Sequence, residues 1–198
     1  MSSVVPFVGL TGGLGSGKST ALAALERLGA AVISSDAVVH ELYEGPELRD
    51  AVVARFGPEV APGGHVDRAL LAGRAFAAEE DRRWLEGLVW PLVGARVAEW
   101  LEQARAASPA PRAAVVEVPL LFEAGLEGIY DATIAVISDE ELRRARAAGR
   151  GHEAVEERAA RQLTQEEKAS RATFAIRNDG SEDDLEQELS AVLAKLGR

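Results

Sequence analysis

The chain of 198 residues contains no cysteine and a single methionine. Without a thiol there can be no disulfide, thiolate zinc site, iron–sulfur cluster or cysteine nucleophile. Only His40, His65 and His152 could offer imidazole, so a structural metal is not expected. Lysine is nearly as scarce: among 22 cationic side chains only Lys18, Lys168 and Lys195 are lysine, and the others are arginine. No long hydrophobic run is present. The opening Val4 to Leu10 stretch has no basic leader and is broken by Pro6 and Gly9, so it reads as neither a signal peptide nor a membrane span, and a cytoplasmic location is expected. The 32 acidic side chains outweigh the basic ones to give a net charge of −10, which argues against general binding to nucleic acid or an anionic membrane. Any anionic ligand must be met by positive charge gathered locally.

Apolar residues make up 47% and charged residues 27%, as in an ordinary globular protein with a core of its own. Val4 to Gly9 is β-rich, Gly12 to Gly17 is a glycine-dense loop, and Lys18 to Leu28 is helical and closed by Gly29. Ala30 to Ile33 supplies a second strand, so the first forty residues form a βαβ unit. Pro46 to about Ala107 is almost wholly helical, punctuated by the loop Gly57 to Gly64, with Asp67 as the N-cap of the helix from Arg68. Three further strands are expected, at Ala113 to Val118, Ala132 to Ile137 and Ala172 to Ile176. Ser181-Glu182-Asp183-Asp184 is a variant of the capping box and opens the last helix. The expected fold is α/β, a doubly wound five-stranded parallel sheet with a helical insertion, and its chemistry belongs at the carboxyl ends of the strands.

Gly12-Gly13-Leu14-Gly15-Ser16-Gly17-Lys18-Ser19 matches G-x-x-x-x-G-K-[ST] between a predicted strand and a predicted helix. The glycines let backbone N–H groups turn toward an anion, and the helix start adds its dipole. Lys18 would reach the β and γ phosphates, and the Ser19 hydroxyl would ligate Mg²⁺. A GTPase would carry Asn-Lys-x-Asp, yet Asn178 is the sole asparagine and stands in Arg177-Asn178-Asp179-Gly180. A small ATP-using kinase is the simplest class.

Asp36 follows the second strand and can orient or deprotonate an acceptor hydroxyl, or cap the helix from Ala37. Glu117 ends the third strand, where it can serve the metal through water or face solvent. Leu142 to His152 carries Arg143, Arg144, Arg146 and Arg150 and no acid. The like-charge pair Arg146 and Arg150 costs an isolated helix about 0.2–0.5 kcal/mol. A lid whose arginine meets the transferring phosphoryl would explain that cost, being worth about 10³–10⁵ in rate, although a solvated basic face fits the same pattern. By its chemistry alone Asn178 reads as a turn residue.

Taken in order, these segments resemble the dephospho-CoA kinase family. The resemblance runs nearly end to end, through Gly9 to Ser19, Asp36-Ala37-Val38-Val39-His40, Phe56-Gly57, Gly64 to Arg68, Phe76, Leu85-Glu86, Val118-Pro119-Leu120-Leu121-Phe122-Glu123, Asp131, Gln162, Glu167-Lys168 and Asn178-Asp179-Gly180. It implies transfer of the γ-phosphoryl of ATP to the ribose 3′-hydroxyl of dephospho-CoA, with Mg²⁺ required. It implies ATP contacts at Gly13, Leu14, Gly15, Ser16, Gly17, Lys18, Ser19, Thr20 and Asn178, and catalytic roles for Lys18, Asp36 and Arg144. Arg143, Arg146 and Arg150 are further lid candidates, and Thr11, His40, Pro119, Leu120 and Glu123 fall on the acceptor side. The same resemblance implies one P-loop kinase domain: a core of about 1–44, 108–138 and 166–198, an acceptor-side insertion of about 45–107, and a lid of about 139–165.

Two departures stand out. Trp90-Pro91 replaces the family's usual His-Pro, and the lid's Arg-x-x-x-Arg is not kept from Arg144, because Ala148 stands at that offset. Two other functions remain compatible with the residues: a kinase of another small hydroxyl acceptor, such as a nucleoside or sugar acid, and a nucleotide-gated binding module without turnover.

Overall fold

The computed structural model describes residues 5–147 and 162–197. Arg150, His152 and the middle of the expected lid lie outside the described residues. Five parallel strands form one sheet in the order β2-β3-β1-β4-β5. They are β1 (Phe7–Gly12), β2 (Ala31–Ser34), β3 (Ala114–Glu117), β4 (Ala132–Ile137) and β5 (Phe174–Arg177). The connection after β1 leaves toward β2 and the one after β4 leaves toward β5, which opens a crevice at the carboxyl end of β1.

The helices are α1 (Lys18–Arg27), α2 (Ser35–Glu44), α3 (Pro46–Phe56), α4 (Arg68–Ala75), α5 (Glu79–Ala106), α6 (Glu140–Ala147), α7 (Gln165–Arg171) and α8 (Glu182–Leu196). The chain divides into two compact units, residues 35–100 forming one and the remainder the other. The sheet unit has an apolar core of strand residues Val8, Leu10, Val115, Ile134 and Val136 packed with Leu25 of α1 and Leu185, Leu189, Val192 and Leu193 of α8. The α8 residues recur at helical spacing, so one stripe meets the sheet. Burying a leucine such as Leu189 contributes about 1.5–3 kcal/mol. The helical unit has a separate core of Tyr43, Leu48, Val52, Val60, Leu71, Ala75, Leu85 and Val89. Among the described residues no helix is long and apolar enough to cross a membrane.

Strands β1, β2 and β5 lie later in the chain than the sequence-based expectation, and β3 is shorter at both ends. The first strand, expected at Val4 to Gly9, runs instead from Phe7 to Gly12, because Thr11 and Gly12 still pair with Ala135 and Val136 of β4. Pro6 has no N–H to offer a ladder, although its carbonyl accepts from Ala114 N at 2.8 Å. The phosphate loop therefore leaves the sheet only after Gly12. The last strand likewise begins later, at Phe174, because α7 runs to Arg171 and Thr173 is engaged by its side chain with Thr133.

The expected caps are present. Asp67 accepts from Ala69 N and Leu70 N at 2.9 and 3.0 Å, and Ser181 and Asp184 cap each other reciprocally at the start of α8. Hydrogen bonds from Ser181 hold the Asp184 carboxyl below its usual pKa. A carboxyl depressed in the folded state stabilises above its unfolded pKa of about 4, and that stability is lost as pH falls through the folded value. Asp184→Asn should accordingly flatten the acid limb of the melting temperature against pH; calorimetry between pH 7 and 3 reads this, and an unchanged acid limb would contradict it.

Candidate active site

The sheet unit brings the turn after β1, the start of α6 and the end of β5 to one place. Gly15 and Gly17 have φ of +73° and +93°, a region that L side chains rarely adopt. At each, a neighbour already occupies the place of a β-carbon: a Cβ on Gly15 would stand 2.4 Å from the Arg143 carbonyl oxygen, and one on Gly17 2.0 Å from Asn178 Nδ2. Gly17 is also the N-cap of α1 and makes no side-chain cap bond, leaving the first amides of α1 to an external acceptor. The Ser16 hydroxyl is buried without a hydrogen-bond partner. Buried polar groups are normally satisfied, so an uncapped helix start beside an unpartnered hydroxyl fits an anion rich in acceptor oxygens. Lys18 Nζ donates to Gly13 O at 2.9 Å, folding the ammonium back over the loop. Ser19 and Thr20 follow on the first turn of α1, the former exposed and the latter half-buried.

Asn178 is not the solvated turn residue that its chemistry alone suggested. It is 6% exposed, its Nδ2 donates to Ser16 O at 2.9 Å, and its own N–H bonds Ile137 O at 2.8 Å. Its carbonyl accepts from Ser138 Oγ and from Arg146 Nη1, both at 3.1 Å. Gln165, which the sequence did not single out, closes on Ser138 from both sides: Oε1 accepts from Ser138 N and Nε2 donates to Ser138 O, each at 2.8 Å. Beside them Asp179 accepts from Asp139 N at 2.6 Å and pairs with Arg177 at 2.9 Å, and these bonds, the first foremost, lower its pKa. The start of α6 is thus tied to the end of β5.

The arginines of α6 divide by face. Arg143 Nε donates to Leu14 O at 3.0 Å, on the phosphate loop, and Arg146 reaches Asn178 O and Ser138 Oγ. Arg144 points the other way and pairs with Glu140 in solvent.

On the far side of β1, Thr11 is fully buried and its hydroxyl donates to Pro119 O at 3.3 Å. Lys168 of α7 is also fully buried and donates to Pro119 O at 2.7 Å and to Glu123 Oε1 at 2.9 Å. Burial lowers the Lys168 pKa, and Glu123 beside it opposes the shift. Leu120 is half-buried in the same turn, and Glu117 is half-buried at the end of β3, in register with Leu10 and Ser34.

Asp36 and His40 lie in the helical unit, both exposed on α2. Because α2 begins at Ser35, Asp36 sits within its first turn, and the expectation of a cap for a helix from Ala37 is corrected. A carboxylate there is favoured by the helix dipole. Trp90 and Pro91 are exposed inside α5.

A glycine-rich turn after the central strand of an all-parallel sheet, running into a helix that starts Lys18-Ser19, defines a P-loop kinase. Shikimate kinase from Acinetobacter baumannii shares the fold, with a TM-score of 0.51 at 16% identity over 98% of this chain and 96% of that one. The chain belongs to the dephospho-CoA kinase family, whose model matches residues 6–184. It is 41% identical to dephospho-CoA kinase of Deinococcus radiodurans over 192 residues, covering 96% of this chain and 91% of the relative. The crystal structure of a Thermus thermophilus protein superposes with a TM-score of 0.79 at 37% identity, covering 96% of this chain and 98% of that one.

Asn178→Ala removes the donor to Ser16 O, and Asn178→Asp sets a carboxylate against that carbonyl beside an anion site. Nucleotide affinity should therefore fall in the order wild type, alanine, aspartate, by about tenfold for alanine, a step of about 1.4 kcal/mol for a lost buried hydrogen bond. Isothermal titration with ATP reads the order, and an aspartate variant that binds as well as alanine would contradict it.

Proposed function

We propose that the protein transfers the γ-phosphoryl of ATP to the ribose 3′-hydroxyl of dephospho-CoA, giving coenzyme A and ADP in the cytoplasm. The phosphate cradle carries the reading: a buried unpartnered Ser16 hydroxyl, an uncapped helix start and Lys18 lie together in the glycine-rich turn. Family membership supplies the acceptor.

Transfer then needs positioning and charge stabilisation, with no covalent intermediate. The amides from Gly13 to Thr20 and Asn178 hold the nucleotide, and Lys18 exchanges Gly13 O for phosphate oxygens. Asp36 orients the acceptor hydroxyl and takes its proton as the oxygen attacks phosphorus and the bond to ADP breaks. Arg144 leaves Glu140 to meet the charge on the moving phosphoryl; an exposed ion pair is worth at most about 1 kcal/mol, so the exchange costs little. Arg143, Arg146 and Arg150 complete the lid, and Thr11, His40, Pro119, Leu120 and Glu123 form the acceptor side.

The donors suit Mg²⁺. Ser19 and Glu117 offer hard oxygens, and among the described residues no group of three or more His, Cys, Asp or Glu could cage an ion, which fits a cation carried chiefly by phosphate oxygens and water. Bound there, the ion would neutralise charge on the β and γ oxygens.

Incubated with ATP and dephospho-CoA, the protein should form 3′-phosphorylated product detectable by mass. A panel of nucleosides and sugar acids tests other acceptors, and ATP binding without product would mark a binding module. Lys18→Ala should lower kcat by about 10²-fold or more with the circular dichroism spectrum retained. Asp36→Asn should lower kcat more than it raises the KM for dephospho-CoA, and the reverse split would make Asp36 a binding residue only.

A further inference from the structure

The scarcity of lysine leaves one residue unexplained by phosphate chemistry. Lys18 serves the loop, and Lys195 lies on α8 beside the Phe174 ring at 5.8 Å. Lys168 has no exposure at all, in a protein that otherwise uses arginine for its charges. Two acceptors face its head, Pro119 O and Glu123 Oε1. A compact ammonium can be buried against two oxygens, whereas a guanidinium would bring five N–H donors and a planar fork into the same space.

The acceptors are not scattered. Both belong to the turn that follows β3, and both are shared: Pro119 O also accepts from Thr11 Oγ1 on β1, and Glu123 Oε1 also accepts from Leu163 N at 2.8 Å, just ahead of α7. One helical turn beyond Lys168, Arg171 pairs with Glu127 and lies 4.9 Å from the Phe122 ring. A single face of α7 therefore grips residues 119–127 at both ends.

We propose that Lys168 is the positioning residue of the acceptor turn, fixing Pro119 to Glu123 against the strand that feeds the phosphate loop while touching neither substrate. This rests on the reading that this turn lies on the acceptor side. Lys168 then sets how the acceptor is presented and leaves the nucleotide cradle, built from Ser16, Asn178 and α1, as it is.

Lys168→Met tests this, with Lys168→Met/Glu123→Gln as a second variant that leaves no unpaired buried carboxylate. Lys195→Met is the surface control. By hydrogen exchange, the amides of 120–127 and Leu163 should exchange at least tenfold faster in Lys168→Met, with those of 13–20 unchanged. In steady-state assays the KM for dephospho-CoA should rise about tenfold or more, while the KM for ATP stays within threefold. Equal loss toward both substrates, unchanged exchange at 120–127, or failure of both variants to fold would overturn the proposal. Wild-type protein inactive toward dephospho-CoA would instead overturn the acceptor reading, and the exchange result would still report whether Lys168 holds the turn.

Discussion

The phosphate site depends on backbone lying closer to its neighbours than any β-carbon permits. Gly15 sits under the carbonyl of Arg143 and Gly17 under the amide of Asn178, and both have positive φ. These two contacts set the loop directly against α6 and the residue after β5, and side chains from both hold it there. The Arg143 and Asn178 side chains take the carbonyls of Leu14 and Ser16. The carbonyl of Gly13 is bonded within the loop instead, by Lys18 Nζ and Ser16 N. The glycines are thus demanded twice, by conformation and by proximity, and α6 and β5 are needed to make the second demand.

Much of this was legible in the residues themselves. The order of strands and helices followed from apolar runs and glycine punctuation, and the caps at Asp67 and Ser181 followed from side-chain chemistry that acts within three residues. The glycine-rich turn was legible because its spacing is local, and it falls between β1 and α1 as expected. Contacts that close over long separations were harder to read. Asn178 looked like a turn residue because Asn-Asp-Gly makes turns, and nothing nearby in the chain reveals that its amide meets a carbonyl 162 residues earlier. Gln165 gave no signal, since its role is to imitate a strand for Ser138 by bonding N–H and C=O together. The arginine run was visible as a run, but only helix geometry separates Arg143 and Arg146 on the inner face from Arg144 on the outer.

The cations follow a division of labour. Exposed arginines pair with acids on both units, as Arg27 does with Glu186 and Arg55 with Asp81, where a long planar group can keep partial hydration. The two lysines nearest the chemistry instead fold compact ammonium groups onto backbone carbonyls, Gly13 O for Lys18 and Pro119 O for Lys168. Lys168 also has the Glu123 carboxylate beside it, 2.9 Å from its ammonium.

The bond between Asn178 and Ser16 also has a temporal consequence. During synthesis the phosphate motif emerges from the ribosome first, and the side chain that holds its carbonyl outward arrives 162 residues later. A nascent chain bearing the complete glycine motif therefore lacks this bond until β5 has docked beside β4.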